Sequence, residues 1–360
     1  MRFFAFFLPQ FHTIPENDEW WGKGFTEWTN VKKAKSLGKG HLQPIHPLNN
    51  NYYNLLDKET VRWQTQVMRK YGITGMIYYH YYFLGKLLLE KPAENLLIWK
   101  DINQPFFFCW ANHSWKKTWD GTSSILLKQE YGTVNDWENH FQYLLPFFKD
   151  DRYEKKNNMP VFMIFDSFFS QKKEMVNYFN MRCIEEGFDG IYWINNCFGS
   201  TDLRMEKIRN DMVLKTEKIY LREPSNGLSL FERYERRNIL AKLYSRMKDD
   251  FLRKRKRITQ YDGSFLFKLM IKNYENRDYL IHGLFLSWDN SPRHGRRGYV
   301  ISEVNKQALF NYLDLIKGEE YCFINAWNEW CEGMILEPTE ERGFYYLEMI
   351  NEWIKQNNLQ

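Results

Sequence analysis

Short apolar runs, rich in aromatic and branched residues, recur along the chain between longer stretches whose apolar positions follow helical spacing. The runs predict strands over residues 3–8, 73–79, 105–110, 161–165, 190–194, 282–288 and 321–326, with an eighth near 211–215. Helical spacing covers 58–71, 133–148, 171–186, 303–317 and 341–355. Strands alternating with helices imply parallel strands joined by crossover helices, an α/β fold. The expected architecture is a (β/α)8 TIM barrel, with a doubly wound open sheet as the alternative. Residues 217–280 fit neither period well and are expected to form a helical, basic insertion on a late barrel loop. No linker or repeat divides the chain, so residues 1–360 read as one domain.

Parallel strands of a barrel all end at one mouth, so the residues that follow each run are expected to share a face. After the first run come Gln10 and His12, then a loop carrying Trp20 and Glu27. The second ends in Tyr79 and His80, and the third leads into Trp110, Asn112, His113, Trp115 and Asp120. Asp166 follows the fourth run, Asn195 and Asn196 the fifth, and Trp288, Asp289 and Arg293 the seventh. The last delivers Ala326-Trp327-Asn328-Glu329-Trp330-Cys331-Glu332-Gly333, two carboxylates three residues apart among tryptophans. Paired carboxylates beside aromatic faces suit glycosidic bond chemistry, with Glu329 and Glu332 as the catalytic candidates. Trp21, Trp28 and Tyr81 are expected instead to bury the loops against one another, and Cys331 to be a packing residue.

Composition agrees with a sugar site. Aromatic residues make up 18% of the chain, with 14 Trp and 23 Tyr, whose polar handles favour partly wet ligand faces. The net charge of +5 is small for 360 residues, and much of the positive charge gathers in Arg253-Lys254-Arg255-Lys256-Arg257. That argues against nucleic acid as a partner; the basic run is a solvated helix end or a contact with anionic membrane or lipid-linked glycan. Five widely spaced cysteines in apolar runs read as reduced core thiols, and the absence of zinc-type spacing argues against a metal. The apolar start Phe3 to Leu8 is closed by Pro9 without a cleavage site, and no stretch is long enough to span a bilayer, so a cytoplasmic location is expected.

Several longer segments carry a family resemblance: FFLPQFHTIPENDEWWGKGFTEWTNV, GHLQPIHPLNNNYYNL, GITGMIYYHYYFLGKLLLEKP, FFFCWANHSWKKTWDG, LSWDNSPR and FINAWNEWCEGMILEP. Together they resemble the WbsX-type proteins of bacterial polysaccharide and lipopolysaccharide biosynthesis, which are related in turn to glycoside hydrolase family 99. The second segment adds His41 to the candidate substrate-binding residues. The resemblance implies a TIM barrel acting on α-linked sugars, mannosides in the characterised hydrolases, with retention of configuration and no cofactor. It further implies that Glu329 acts as base toward the sugar's own 2-hydroxyl, which closes a 1,2-anhydro ring. Glu332 would protonate the leaving oxygen and then activate water, so Glu332 should start protonated and Glu329 ionised, with Asn328 and Tyr79 as its hydrogen-bonding support. The third-strand motif reads WANHSW where the family pattern is WANENW, which places His113 and Ser114 where Glu and Asn are expected.

Two other functions fit parts of the chain. One is a glycosyltransferase in O-antigen or capsule assembly, although neither a convincing DxD-type loop nor a Gly-rich fingerprint after the first strand is present. The other is a non-catalytic glycan-binding barrel, against which the retained glutamate pair argues.

Overall fold

The computed structural model describes residues 1–38, 41–116, 124–199, 202–240, 243, 247 and 257–358. Eight parallel strands close into a barrel. They are β1 Arg2–Phe7, β2 Gly75–Phe83, β3 Phe106–Trp110, β4 Met159–Ile164, β5 Tyr192–Cys197, β6 Lys218–Leu221, β7 Leu280–Phe285 and β8 Tyr321–Asn325. Strand β1 pairs with both β2 and β8, which completes the ring and excludes the open sheet. Around it run α1 Lys58–Lys70, α2 Lys91–Ile98, α3 Val134–Phe148, α4 Lys172–Glu185, α5 Asp202–Asp211, α6 Ser225–Glu235, α7 Gly263–Lys272, α8 Lys306–Ile316 and α9 Tyr345–Gln356.

Two expectations are corrected. The strand expected near 211–215 lies at Lys218–Leu221, and residue 211 instead closes α5. Four residues between charges give too short a run to stand out, yet Ile219 and Leu221 pack outward with Ile208 and Leu280 while Tyr220 faces the barrel. Much of the supposed insertion at 217–280 therefore belongs to the barrel: it supplies β6, α6 and α7. Of the basic run, Arg253, Lys254, Arg255 and Lys256 lie outside the described residues, and Arg257 is exposed.

The barrel interior explains much of the aromatic surplus. Barrels of this type are usually filled with Val, Ile and Leu. Here Phe4 packs on Phe107 at 5.2 Å, Phe107 on Phe323 at 5.7 Å, and Tyr220 on Phe323 at 5.1 Å. Phe6 stacks between Tyr79 and Tyr220 at 5.5 and 5.7 Å. Such rings need room: a Cβ on Gly283 would lie 2.3 Å from the Phe323 carbonyl oxygen and 2.7 Å from the Tyr220 hydroxyl. The buried Tyr220 hydroxyl accepts from Asn325 Nδ2 at 2.6 Å. Among the described residues, no helix is long and apolar enough to cross a membrane.

Candidate active site

The segment after β8 makes a tight turn. Asn328–Glu329 pairs antiparallel with Met334–Ile335 around the 3-10 turn Trp330–Glu332. Gly333 closes it at φ +60°, a left-handed conformation that favours glycine, and a Cβ there would press on Asp289 at 3.0 Å. Below the turn sits Glu337, buried with four donors. Its Oε1 accepts from Trp327 Nε1 at 2.8 Å and Gln64 Nε2 at 2.7 Å, and its Oε2 from Tyr53 and Trp330 Nε1, both at 2.8 Å. Asn328 fastens the turn to β1 by accepting from Leu8 N–H at 2.7 Å and donating to the Leu8 carbonyl at 3.0 Å. With Trp327, Asn328 and Trp330 held inside, Glu329 and Glu332 face a cavity of about 610 Å³ at the barrel mouth.

Arg293 ties the pair together. Its Nη1 donates to Glu332 Oε1 at 2.6 Å, its Nη2 donates to the fully buried Glu27 at 2.8 Å, and Nη2 stands 3.8 Å from Glu329 Oε2. His41 and Asp289 position the segment that bears it. His41 Nε2 lies 3.2 Å from Asp289 Oδ2 and 3.1 Å from Ser291 Oγ, and Asp289 Oδ1 accepts from Ser291 N–H at 3.0 Å. Burial, and then the charge of Glu332, raise the Glu329 carboxyl well above the usual range, with Arg293 opposing. The shift falls on Glu329, the carboxyl that the resemblance expects to be ionised. The expected support for Glu329 is also absent from the two named residues: Asn328 is committed to Leu8, and Tyr79 acts on Arg222.

Of the other candidates, Gln10, Tyr79, Asn112, His113 and Trp115 line the cavity with the glutamates and Arg293. The Asn112 amide is spent on Asp166, accepting from its N–H at 2.7 Å and donating to its carbonyl at 2.8 Å. Trp20 backs Trp115 at 5.5 Å, and Trp115 meets Tyr81 edge-on at 5.3 Å. Trp21 and Tyr81, expected as loop packing, line the cavity, while Trp28 is buried against Tyr53 and Trp330.

His80 and Trp110 are not in the site. Strand alternation turns Tyr79 and Tyr81 inward and His80 outward. His80 Nε2 meets His140 Nε2 of α3 at 2.8 Å, and burial lowers the His80 imidazole to about 3. Trp110, opposite His80 in register, donates to the Tyr82 carbonyl at 3.3 Å. His12 is buried and lowered by that burial to about 4, and Trp288 is buried edge-on against Tyr299. Asp120 lies outside the described residues. All five cysteines are buried and free, and the Cys331 thiol donates to the Glu27 carbonyl at 3.4 Å, consistent with packing.

Sequence reasoning missed Arg222 and Glu337. Arg222 directly follows β6, the strand placed too early, so its position at the mouth was hidden. Glu337 lies beyond the turn, and only its four donors reveal it.

This architecture has relatives. The Bacteroides thetaiotaomicron GH99 endo-alpha-mannosidase structure superposes with a TM-score of 0.53 at 12% identity, covering 99% of this chain and 98% of that one. A structure described as a glycoside hydrolase-like protein gives a TM-score of 0.58 at 13% identity, covering 98% and 93%. At such identities the likeness concerns the fold. In sequence, the Uncharacterized protein WxcX of Xanthomonas campestris pv. campestris strain B100 is 27% identical over 96% of this chain and 48% of its own length. The WxcX of strain ATCC 33913 matches equally, so the chain spans about half the length of these curated relatives. Residues 3–350 match the family described as Glycosyltransferase WbsX, and the chain belongs to that family.

Proposed function

We propose that the protein is a carbohydrate-active enzyme that cleaves or transfers α-linked glycosides with retention of configuration, on mannoside-like substrates. The observation that carries this reading is the Glu329–Glu332 pair on a braced turn, facing an aromatic-walled cavity and sharing Arg293. Glu329 takes the proton of the substrate's 2-hydroxyl as that oxygen attacks the anomeric carbon. Glu332 protonates the departing oxygen and later activates the acceptor. This chemistry needs Glu329 ionised when substrate is bound, whereas burial raises its carboxyl in the free site and Arg293 holds Glu332.

Water as acceptor gives hydrolysis and a second sugar gives transfer. The family description supports transfer, and the fold shared with a GH99 endo-alpha-mannosidase supports hydrolysis. Incubation with purified bacterial surface glycan, followed by proton NMR of the first-formed product, tests the proposal. The α-anomer is expected to appear first, and initial release of the β-anomer would defeat it.

A further inference from the structure

Two arginines line the cavity, and their surroundings differ sharply. Arg293 is met by Glu27, Glu332 and Glu329. Arg222 is as deeply placed, with 8% of its surface exposed, yet no carboxylate among the described residues forms an ion pair with it. Its Nε is buried without a hydrogen-bond partner. Glu332 acts on it only at longer range and is already held by Arg293 at 2.6 Å.

The position of Arg222 is fixed. Its backbone N–H donates to the Cys197 carbonyl at 3.0 Å, and the guanidinium sits 5.7 Å from the Phe165 ring centre and 5.5 Å from that of Phe198. The rings orient the cation without neutralising it. Lys116 and Asp166 also line this cavity; Asp166 Oδ1 accepts from the Phe168 N–H at 3.1 Å, and Glu332 is held by Arg293. A buried cation without an anion is costly to the fold, and a planar guanidinium fork matches an oxyanion in two-point geometry.

We propose that Arg222 receives a negatively charged group carried by the sugar substrate, a carboxylate or a phosphate, so that the cavity selects anionic glycans. The inference rests on the carbohydrate reading of the cavity and narrows its substrate class. Substrate then supplies the anion that the protein withholds.

Calorimetric titration with matched sugars tests this. The carboxylate arm compares methyl α-glucoside, galactoside and mannoside with the corresponding methyl uronosides, and the phosphate arm compares mannose with mannose 1-phosphate. Wild type should bind at least one charged member about tenfold or more tightly than its neutral partner. Arg222→Gln should abolish that preference, and Arg222→Lys should keep part of it. The arm that responds identifies the anion. Without ligand, Arg222→Gln should melt at or above the wild-type temperature, because a binding role burdens the fold where a structural role would support it. Equal binding of charged and neutral members, or a preference untouched in Arg222→Gln, overturns the proposal and leaves the glycosidase reading standing. Failure of the protein to bind any member of either arm removes both.

Discussion

Glu337 braces from below the turn that carries the Glu329–Glu332 pair, yet their carboxylates are treated in opposite ways. Glu337 receives four neutral donors, and no cation is paired with it among the described residues. Burial pushes it up to about 7 while those donors pull the other way. The pair has one shared arginine and an open cavity, and Glu329 Oε2 has no hydrogen-bond partner. A satisfied carboxylate fixes a backbone; an under-satisfied one remains ready to exchange protons. The motif serves both ends: its tryptophans and asparagine point inward to anchor, and its glutamates point outward to the ligand.

Breaking the anchor should have the largest effect on stability. Glu337→Ala leaves two indoles, a phenol and an amide without their acceptor, and urea unfolding should report a loss of about 3–5 kcal/mol. Arg293→Met comes next, because it strands the fully buried Glu27 beside two further carboxylates; about 3 kcal/mol should be lost, together with turnover.

A smaller effect separates the pair from the anchor by pH. The folded-state pKa of Glu329 lies above its unfolded value, so the folded protein binds more protons and its stability falls as pH rises through that window. Glu329→Gln removes the penalty. Its stability relative to wild type should therefore improve by about 1 kcal/mol or more between pH 5 and pH 9, read from paired urea unfolding curves. Cys331→Ala should produce the smallest change, about 1 kcal/mol of stability, with turnover of the folded protein intact.

The barrel was legible because its strands are unusually apolar and its helices keep their spacing. Where the reading failed, the signal was local and weak. Strand β6 is only four residues long, and misplacing it concealed Arg222 at its end. Face assignment on β2 was ambiguous because Tyr78 to Tyr82 is aromatic on both sides: Tyr79 and Tyr81 look into the cavity, while His80 looks toward α3. Proximity in sequence placed Trp327 and Asn328 beside the glutamates, but it could not show that their polar atoms are spent on Glu337 and Leu8. The catalytic pair itself was visible as a motif. Its electrostatics were not, since the Glu329 carboxyl is raised first by burial and then by Glu332, and Arg293 and Glu27, which act on it as well, are brought there only by the fold.

The most direct test measures turnover and melting temperature side by side for Glu329→Gln, Glu332→Gln and Glu337→Gln on a surface glycan that the wild type processes. The account predicts a crossed result: both cavity variants lose turnover by about a thousandfold or more while melting at or above wild type. Glu337→Gln should melt lower and retain activity while folded. Near wild-type turnover in either cavity variant would contradict the assignment of the pair.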